Sequence, residues 1–200
     1  MFKTTKSYDA VVKNFKTRRD YLSDVVKDYV ARLDGFSQGY NTSGTINLTS
    51  GNTVKVKTRF LTTLTQRNTI LPSSGGSAGI YILTNAKIYC RNDNNENIGM
   101  ISIDGGDFAV NPIIPLDGLE HEITVMLSGS VESDYVGYDG KSSRYYCSAA
   151  LYDLEVLNSL NETILLLPLT NKDQGANQLA TVGNINTTMA NFSTDVWEVV

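Results

Sequence analysis

The chain has 200 residues and a mass of 21.9 kDa, enough for one domain of ordinary size with a short appendage. Hydrophobic residues make up 41% and charged residues 19%, and the net charge of −4 disfavours binding of nucleic acid through overall positive charge. Two cysteines and one histidine exclude a disulfide-dense scaffold and a multi-histidine metal site. Since no run approaches ~18 apolar residues and no apolar signal segment follows Met1, we expect a soluble protein without a membrane span, made in a cytoplasm.

The first 34 residues differ from the rest of the chain in charge and in periodicity. They contain eight Lys or Arg against five Asp, whereas residues 35–200 carry a net negative charge. Spacings of four and three residues alternate along one seam, which consists of Tyr8, Val12, Phe15, Arg19, Leu22, Val26, Tyr29 and Leu33. A seam of this period predicts a long amphipathic α-helix from about Ser7 to Asp34, with Gly35 just past its end.

Two uses of this predicted helix are open. Its apolar seam either lies across the domain that follows, or pairs with copies of itself or docks on a larger assembly. The length of the seam and its period near 3.5 favour assembly. The basic residues that would then meet an acidic partner surface are Lys13, Lys16, Arg18 and Arg19. We therefore expect residues 1–35 to attach or oligomerise the protein through the seam, as a homo-oligomer and by preference a trimer.

From Gly35 onward the pattern changes to a period of two, which is typical of β-strands. Thr53–Phe60 is the cleanest case, because Val54 and Val56 alternate with Lys55 and Lys57. Further strands are predicted at Gly44–Leu48, Ile80–Leu83, Ala86–Arg91, Asn97–Ile103, Glu122–Leu127, Tyr145–Leu157 and Ile164–Leu167, with Leu61–Asn68 a weaker candidate. Many short strands between Gly, Pro, Asn and Asp clusters predict a mainly β domain over 36–200, an antiparallel β-sandwich or jelly roll.

Few side chains combine into a catalytic pattern. Asp153 and Glu155 have the i, i+2 spacing that places two carboxylates on one strand face, as paired-acid hydrolysis needs. They alternate with an apolar set that begins at Tyr152 and Leu154, which indicates solvent-facing residues on a half-buried strand. A Ser-His-Asp arrangement around His121 stays open, although no G-x-S-x-G or similar motif singles it out. We therefore expect no enzyme and assign no catalytic residue.

Calcium is the one metal ion that we consider as a ligand, because oxygen atoms alone can coordinate it. Loops 92–97 and 104–107 offer carboxylates that lie close together in sequence, namely Asp93, Glu96, Asp104 and Asp107. Neither loop matches the EF-hand pattern, and ordinary Asn-rich turns explain both. Our prediction is therefore a protein without a resident cofactor, with calcium as the lesser alternative.

The two cysteines fall in or beside predicted strands with aromatic neighbours. Cys90 follows Tyr89 and Cys147 follows Tyr146. We expect buried free thiols, with a disulfide open only if the two strands lie side by side.

Eleven tyrosines are a high count for this length. Tyrosine suits interfaces because its ring buries area while its hydroxyl stays hydrogen-bonded, and the same ring suits glycan stacking. Packing within the protein explains tyrosines equally well. A candidate ligand face is formed by Tyr135, Tyr138, Tyr145 and Tyr146.

Several stretches resemble one known family, the concanavalin A-like, laminin-G-type jelly rolls found in adhesins and in bacteriophage virion proteins. Thr45–Leu48 and Val54–Phe60 resemble the opening pair of strands. His121–Leu127 is similar to the central strand, and Ala149–Val156 is similar to the closing strand with its aromatic-Asp-aliphatic signature. The segment from Leu165 to Trp197 is similar to the tail that phage versions carry.

The resemblance implies a virion structural protein of a tailed phage, either a tail-fibre or baseplate component or a capsid-surface component. Such a protein is made in the host cytoplasm and resides in the virion, where its helix contacts other virion proteins or sibling subunits and its sandwich projects outward. The alternative is a carbohydrate-binding module that recognises a host-surface glycan through exposed Tyr and Asn side chains. A third possibility, a glycan hydrolase, needs Asp153 and Glu155 to form a close acidic pair in a cleft.

Overall fold

A computed structural model describes residues 29–74, 78–140 and 145–200, and these residues are almost entirely β-structure. Contacts within the chain group Tyr29–Glu198 into one unit. Two short 3₁₀ helices, Lys172–Gln174 and Thr194–Val196, interrupt the strands late in the chain. The strands of the described residues are β1 Tyr29–Arg32, β2 Gly39–Leu48, β3 Thr53–Phe60, β4 Asn68–Pro72, β5 Gly79–Ile82, β6 Ile88–Arg91, β7 Gly99–Ile103, β8 His121–Leu127, β9 Val131–Val136, β10 Ala149–Leu157, β11 Thr163–Pro168, β12 Asn177–Gln178, β13 Thr187–Ala190 and β14 Trp197–Val199.

The strands form two layers of antiparallel sheet. The larger layer has seven strands in the order β14-β1-β10-β3-β8-β7, with β11 also paired to β10. The other layer contains a four-stranded sheet, β12-β13-β2-β9, and a three-stranded sheet, β4-β5-β6. Backbone hydrogen bonds from Gly137 to Ile70 (2.8 Å) and from Ser74 to Glu132 (2.6 Å) join these two sheets side by side. The predicted mainly β, antiparallel architecture is confirmed, and the two layers are consistent with a β-sandwich.

One hydrophobic core lies between the layers, and strict alternation along β3 shows why. Val54, Val56, Thr58 and Phe60 are buried while the basic residues between them are not, as the sequence predicted. Strands of the second layer supply the facing side chains, including Ile80, Ile82 and Ile88. Burial of such side chains is worth about 1.5–3 kcal/mol each and is the main source of stability for this architecture.

The larger layer contains a β-bulge in β10. Leu151 pairs with Thr58 of β3 and the next pair is Asp153 with Lys57, so Tyr152 is an extra residue. The bulge places Tyr152 on the outer face of the layer, where it packs with Val30 and Ala150. The sequence predicted that Tyr152 and Leu154 lie on the same face of the strand. This prediction is wrong for Tyr152, because the extra residue breaks the period of two.

The predicted helix is wrong over its last six residues. Tyr29–Arg32 is strand β1, which pairs with β10 through Ala31 and Leu151, and the Leu33 amide donates to the Ala149 carbonyl. Ala31 and Leu33 are fully buried in the core, so their spacing of two overrides the heptad period. Gly35 has the expected positive φ, but it turns the chain after a strand. The rest of the predicted helix lies outside the described residues.

Most other strand predictions are confirmed with shifted ends, and five described strands besides β1 went unpredicted. The bounds of β3 are those predicted, Thr53–Phe60. The unpredicted strands are β4, β9, β12, β13 and β14. They have two to six residues each, and β9 and β13 are rich in polar residues such as Glu132, Asp134 and Thr188. A short polar strand leaves a weak periodic signal because both of its faces carry hydrophilic side chains.

Two hairpin loops of the same construction close the ends of β6–β7 and β10–β11. In each, the first Asn accepts amide hydrogen bonds from residues two and four positions later, and its side-chain amide donates to the closing glutamate. The fourth residue, Asn95 or Asn161, has a positive φ of 66° or 61°. Asn tolerates this left-handed conformation better than most residues. The shared sequence Asn-x-x-Asn-Glu is therefore a local signal for these loops.

We expect Asn92→Ala and Asn158→Ala each to lower the free energy of unfolding by about 1 kcal/mol, because each removes three hydrogen bonds of an exposed loop. Urea denaturation checks this. Asn94→Ala is the matched control, since the side chain of Asn94 is exposed within the first loop. Equal stability of all three variants would contradict the role given to the first Asn.

Candidate functional site

The structure describes two residues of the predicted seam, Tyr29 and Leu33. Leu33 is fully buried in the core. Tyr29 is partly buried at the start of β1, with the Lys172 Nζ atom 4.0 Å from its ring centre. Both residues belong to the sandwich. The assignment of Leu33 to an interface is wrong because its side chain has no exposed surface, whereas the assignment of Tyr29, which is partly exposed, stays a prediction. The seam residues that lie outside the described part of the chain are Tyr8, Val12, Phe15, Arg19, Leu22 and Val26.

Three of the four tyrosines of the candidate ligand face form one cluster. The rings of Tyr138 and Tyr146 stack with their centres 5.4 Å apart and their planes 5° from parallel. Tyr135 meets Tyr138 edge-on at 5.0 Å. The Tyr138 hydroxyl donates to the side-chain carbonyl of Asn41 on β2. Burial raises the pKa of Tyr138 to about 12, so this hydroxyl remains a neutral donor at physiological pH.

Tyr145 belongs to a second group, which the sequence did not predict. The Arg67 guanidinium lies between two rings, 3.7 Å from the centre of Tyr81 and 4.9 Å from that of Tyr145. Tyr81 stacks on Tyr89 at 5.4 Å, and Arg91 covers Tyr89 at 4.4 Å. Tyr81 and Tyr89 are neighbours because the register of β5 and β6 pairs them. The sequence of either strand alone does not predict this register.

The two groups come close around Asp139. This residue is fully buried, and its negative charge acts on both Arg67 and Tyr138. Tyr135, Tyr145 and Tyr146 remain partly exposed. We call the four predicted tyrosines, Tyr135, Tyr138, Tyr145 and Tyr146, the tyrosine surface. Its rings are held rigidly by stacking, so it offers preformed aromatic area at little cost in side-chain entropy.

The paired carboxylates of β10 lie on a sheet face among basic residues. Asp153 and Glu155 are partly buried and stand opposite Lys57 and Lys55 of β3. Glu155 accepts a hydrogen bond from the Thr163 hydroxyl at 2.6 Å and lies 3.8 Å from the Lys55 ammonium group. Desolvation raises the pKa of Asp153, against the opposing effect of Lys57. The expected half-buried strand is confirmed, and the observed contacts of Glu155 suit sheet stabilisation.

His121 is buried at the start of β8 and bonded to carboxylates on both sides of its ring. Its Nδ1 lies 2.7 Å from Asp104 Oδ2 and its Nε2 lies 3.0 Å from Asp117 Oδ1. Both ring nitrogens can donate only when the imidazole is protonated. A Ser-His-Asp triad needs one nitrogen to face the serine hydroxyl. Here Asp117 takes that place, so the observed contacts of His121 do not form the triad that the sequence left open.

The structure separates the four acids of the candidate calcium site into two pairs. Asp93 accepts from the Ser73 hydroxyl at 2.6 Å, and Glu96 closes its hairpin loop through Asn92. Asp104 bonds His121 at the other end of β7, a strand that spans about 16 Å. Within residues 29–74, 78–140 and 145–200, no group of three or more His, Cys, Asp or Glu side chains is placed to hold a metal ion.

Both cysteines are buried free thiols, as the sequence predicted. Burial raises the pKa of the Cys90 and Cys147 thiols to about 12, so neither is a reactive thiolate at physiological pH. Cys90 lies on β6 of the second layer, whereas Cys147 lies two residues before the start of β10 of the first.

The contacts of His121 predict a pH-dependent stability. Burial alone would lower the pKa of His121, but its bonds to Asp104 and Asp117 outweigh burial and raise the pKa above the ordinary 6.5. The stabilisation is therefore fully present below pH 6.5 and is lost as pH rises through the raised pKa. Thermal unfolding should show a fall in Tm from pH 6 to pH 9 in the wild type and a flatter profile in His121→Gln.

The single histidine of the chain also makes its titration unambiguous by NMR. The ring signals should titrate above pH 6.5, and Asp117→Asn should lower the titration midpoint because it removes one of the two carboxylates. A wild-type midpoint below 6.5 would contradict a protonated ring.

The chain was compared with family models, with curated proteins and with solved structures, and none of the three comparisons finds a match. The two helices within the described residues have three residues each, and neither has the length or hydropathy of a membrane-spanning helix.

Proposed function

We propose that this protein is a structural component of a tailed-phage virion, in which residues 1–28 attach the subunit and a concanavalin-like jelly roll is displayed outward. The resemblance of its strand sequences to phage jelly rolls and the two-layered antiparallel architecture support this proposal. The N-terminal segment contributes a heptad seam and a net positive charge, which together suit docking on an acidic partner surface. The proposed assembly is a homo-oligomer, by preference a trimer.

The observation that carries the proposal is the extent of the core. Its buried side chains come from both layers and run from Ala31 to Val196. Residues from Tyr29 onward thus form both of the facing apolar surfaces that a β-sandwich requires. This supports a separate use for the apolar seam from Tyr8 to Val26, which is assembly.

Val26→Asp should abolish assembly of the full chain while leaving the β-sheet circular dichroism unchanged, because it places an unpaired charge in the apolar seam. Ser23→Asp adds the same charge outside the seam and serves as the matched control. Light scattering coupled to size-exclusion chromatography measures the mass of each variant. We expect the wild type and Ser23→Asp to form oligomers and Val26→Asp to elute as a 21.9 kDa monomer.

Two outcomes would overturn the proposal. A wild type that stays monomeric at every concentration would remove the assembly function. Unfolding of Val26→Asp would instead show that the seam contributes to the stability of the sandwich itself.

A carbohydrate-binding module is a second candidate, favoured by the tyrosine surface. Tyr146, which stacks on the buried Tyr138, and Tyr135, which meets Tyr138 edge-on, present fixed, partly exposed rings. Aromatic faces of this kind bury the apolar side of a sugar ring, while nearby hydroxyl groups such as that of Tyr135 donate hydrogen bonds.

Tyr146→Ala should weaken binding of a bacterial surface polysaccharide about tenfold, or ~1.4 kcal/mol, because it removes one stacking face. Tyr89→Ala is the control, since Tyr89 is a partly exposed tyrosine of the second group. Titration calorimetry on the full chain, with purified lipopolysaccharide as the probe, measures the affinity. Equal affinity of both variants, or no heat with the wild type, would count against this candidate.

A further inference from the structure

An exposed apolar face lies at the β7 edge of the larger layer. Met100 of β7 stands directly opposite Met126 of β8 on the outer face of the sheet. The antiparallel bridge between Ile101 and Ala109 places Val110 beside Met100, and Phe108 two residues further along on the same side. We call these four residues, Met100, Phe108, Val110 and Met126, the apolar edge face. Their side chains are 40–50% exposed.

Negative charge borders this face on the side of the β7–β8 connection, whereas Lys55 and Lys57 of β3 lie beyond β8. Residues 92–140 contain ten Asp or Glu and no Lys or Arg. The exposed acids of β8 and of the connection between β7 and β8 are Asp104, Asp107, Asp117, Glu120 and Glu122. Lys57 pairs with Glu120 at 2.6 Å and His121 bonds two of the aspartates, which leaves an excess of negative charge. A partner that complements this surface is therefore apolar over the face and basic where it meets the β7–β8 connection.

The chain itself contains a segment with that chemistry. Residues 1–28 hold seven Lys or Arg against four Asp, together with the apolar positions of the seam. As a helix this segment would be about 42 Å long. It joins the sandwich at β1, near one edge of the seven-stranded layer, whereas the apolar edge face lies at the opposite edge. About four strand spacings, or roughly 19 Å, separate β1 from β7.

We propose that the apolar edge face of one subunit binds residues 1–28 of a second copy of this chain. The contact is head-to-tail, since one edge of the layer carries the segment and the other edge receives it. Such a heterologous contact closes into a ring when the rotation between copies permits it, which accounts for a trimer. The inference rests on the proposed assembly function and names the surface to which the segment docks.

The first experiment tests the face and its charge in the full chain. Phe108→Lys places a positive charge on the receiving surface, and Leu160→Lys makes a comparable change at an exposed leucine outside the acidic stretch. Sedimentation analysis over a concentration series measures the dissociation constant of the oligomer. We expect this constant to be at least tenfold higher for Phe108→Lys than for Leu160→Lys or wild type. Raising NaCl from about 50 mM to about 500 mM should weaken the wild-type oligomer, because salt screens exposed charges.

The second experiment tests whether the contact joins different copies. Val26→Asp has a defective segment but an intact face, whereas Phe108→Lys has an intact segment but a defective face. Each variant alone should be largely monomeric. An equimolar mixture should form a 1:1 heterodimer through its one intact combination, and circular dichroism of both variants should match the wild type.

The possible results separate this inference from the proposed function. If Val26→Asp dissociates the oligomer while Phe108→Lys assembles like wild type, the seam docks elsewhere and this inference alone is overturned. If the wild type is monomeric at every concentration, the proposed assembly function is overturned as well. If Phe108→Lys keeps its oligomeric state but loses binding to phosphatidylcholine vesicles that the wild type shows, the face belongs to a lipid surface and the inference is wrong.

Discussion

The larger layer depends on β10, because this strand pairs along its whole length on one side and in two portions on the other. β3 follows it from Ala149 to Leu157, while β1 and β11 share the opposite edge. Leu151, Leu154 and Val156 point from β10 into the core and are fully or almost fully buried. The first described strand of the chain is thus held by a partner more than a hundred residues later. Much of the fold can form only after this long-range pairing, which makes loop closure a large part of the folding barrier.

The sequence predicts the fold well where one strand face is apolar and the other is charged. Thr53–Phe60 is the best example, since lysine and arginine alternate with buried side chains and the bounds agree with the structure. It predicts poorly where a segment is too short to define a period. Tyr29–Arg32 has only four residues, and Tyr29 continues the spacing of the predicted seam although the segment is a strand. The pairing with β10, which no local pattern reveals, decides between the two.

In the candidate surfaces too, contacts between residues close in sequence were predicted, whereas contacts between residues far apart in sequence were not. The tyrosine surface was predicted from residues close in sequence, and three of its four members do contact one another. Tyr145 instead packs on Arg67, a residue 78 positions earlier that no spacing rule connects to it. The apolar edge face likewise depends on register, because Met100 and Met126 become neighbours only through the pairing of β7 with β8.

The bulge at Tyr152 changes which positions of β10 point inward. Before it the odd-numbered residues Ala149 and Leu151 face the core, and after it the even-numbered residues Leu154 and Val156 do so. One additional residue thus resets the parity of the strand and keeps the carboxylate of Asp153 out of the hydrocarbon interior. Without a bulge, the same sequence would point Asp153 and Glu155 inward and Leu154 and Val156 outward. Deleting Tyr152 would instead give a regular strand with the same core residues, and would remove the side chain that covers Val30 and Ala150 on the outer face.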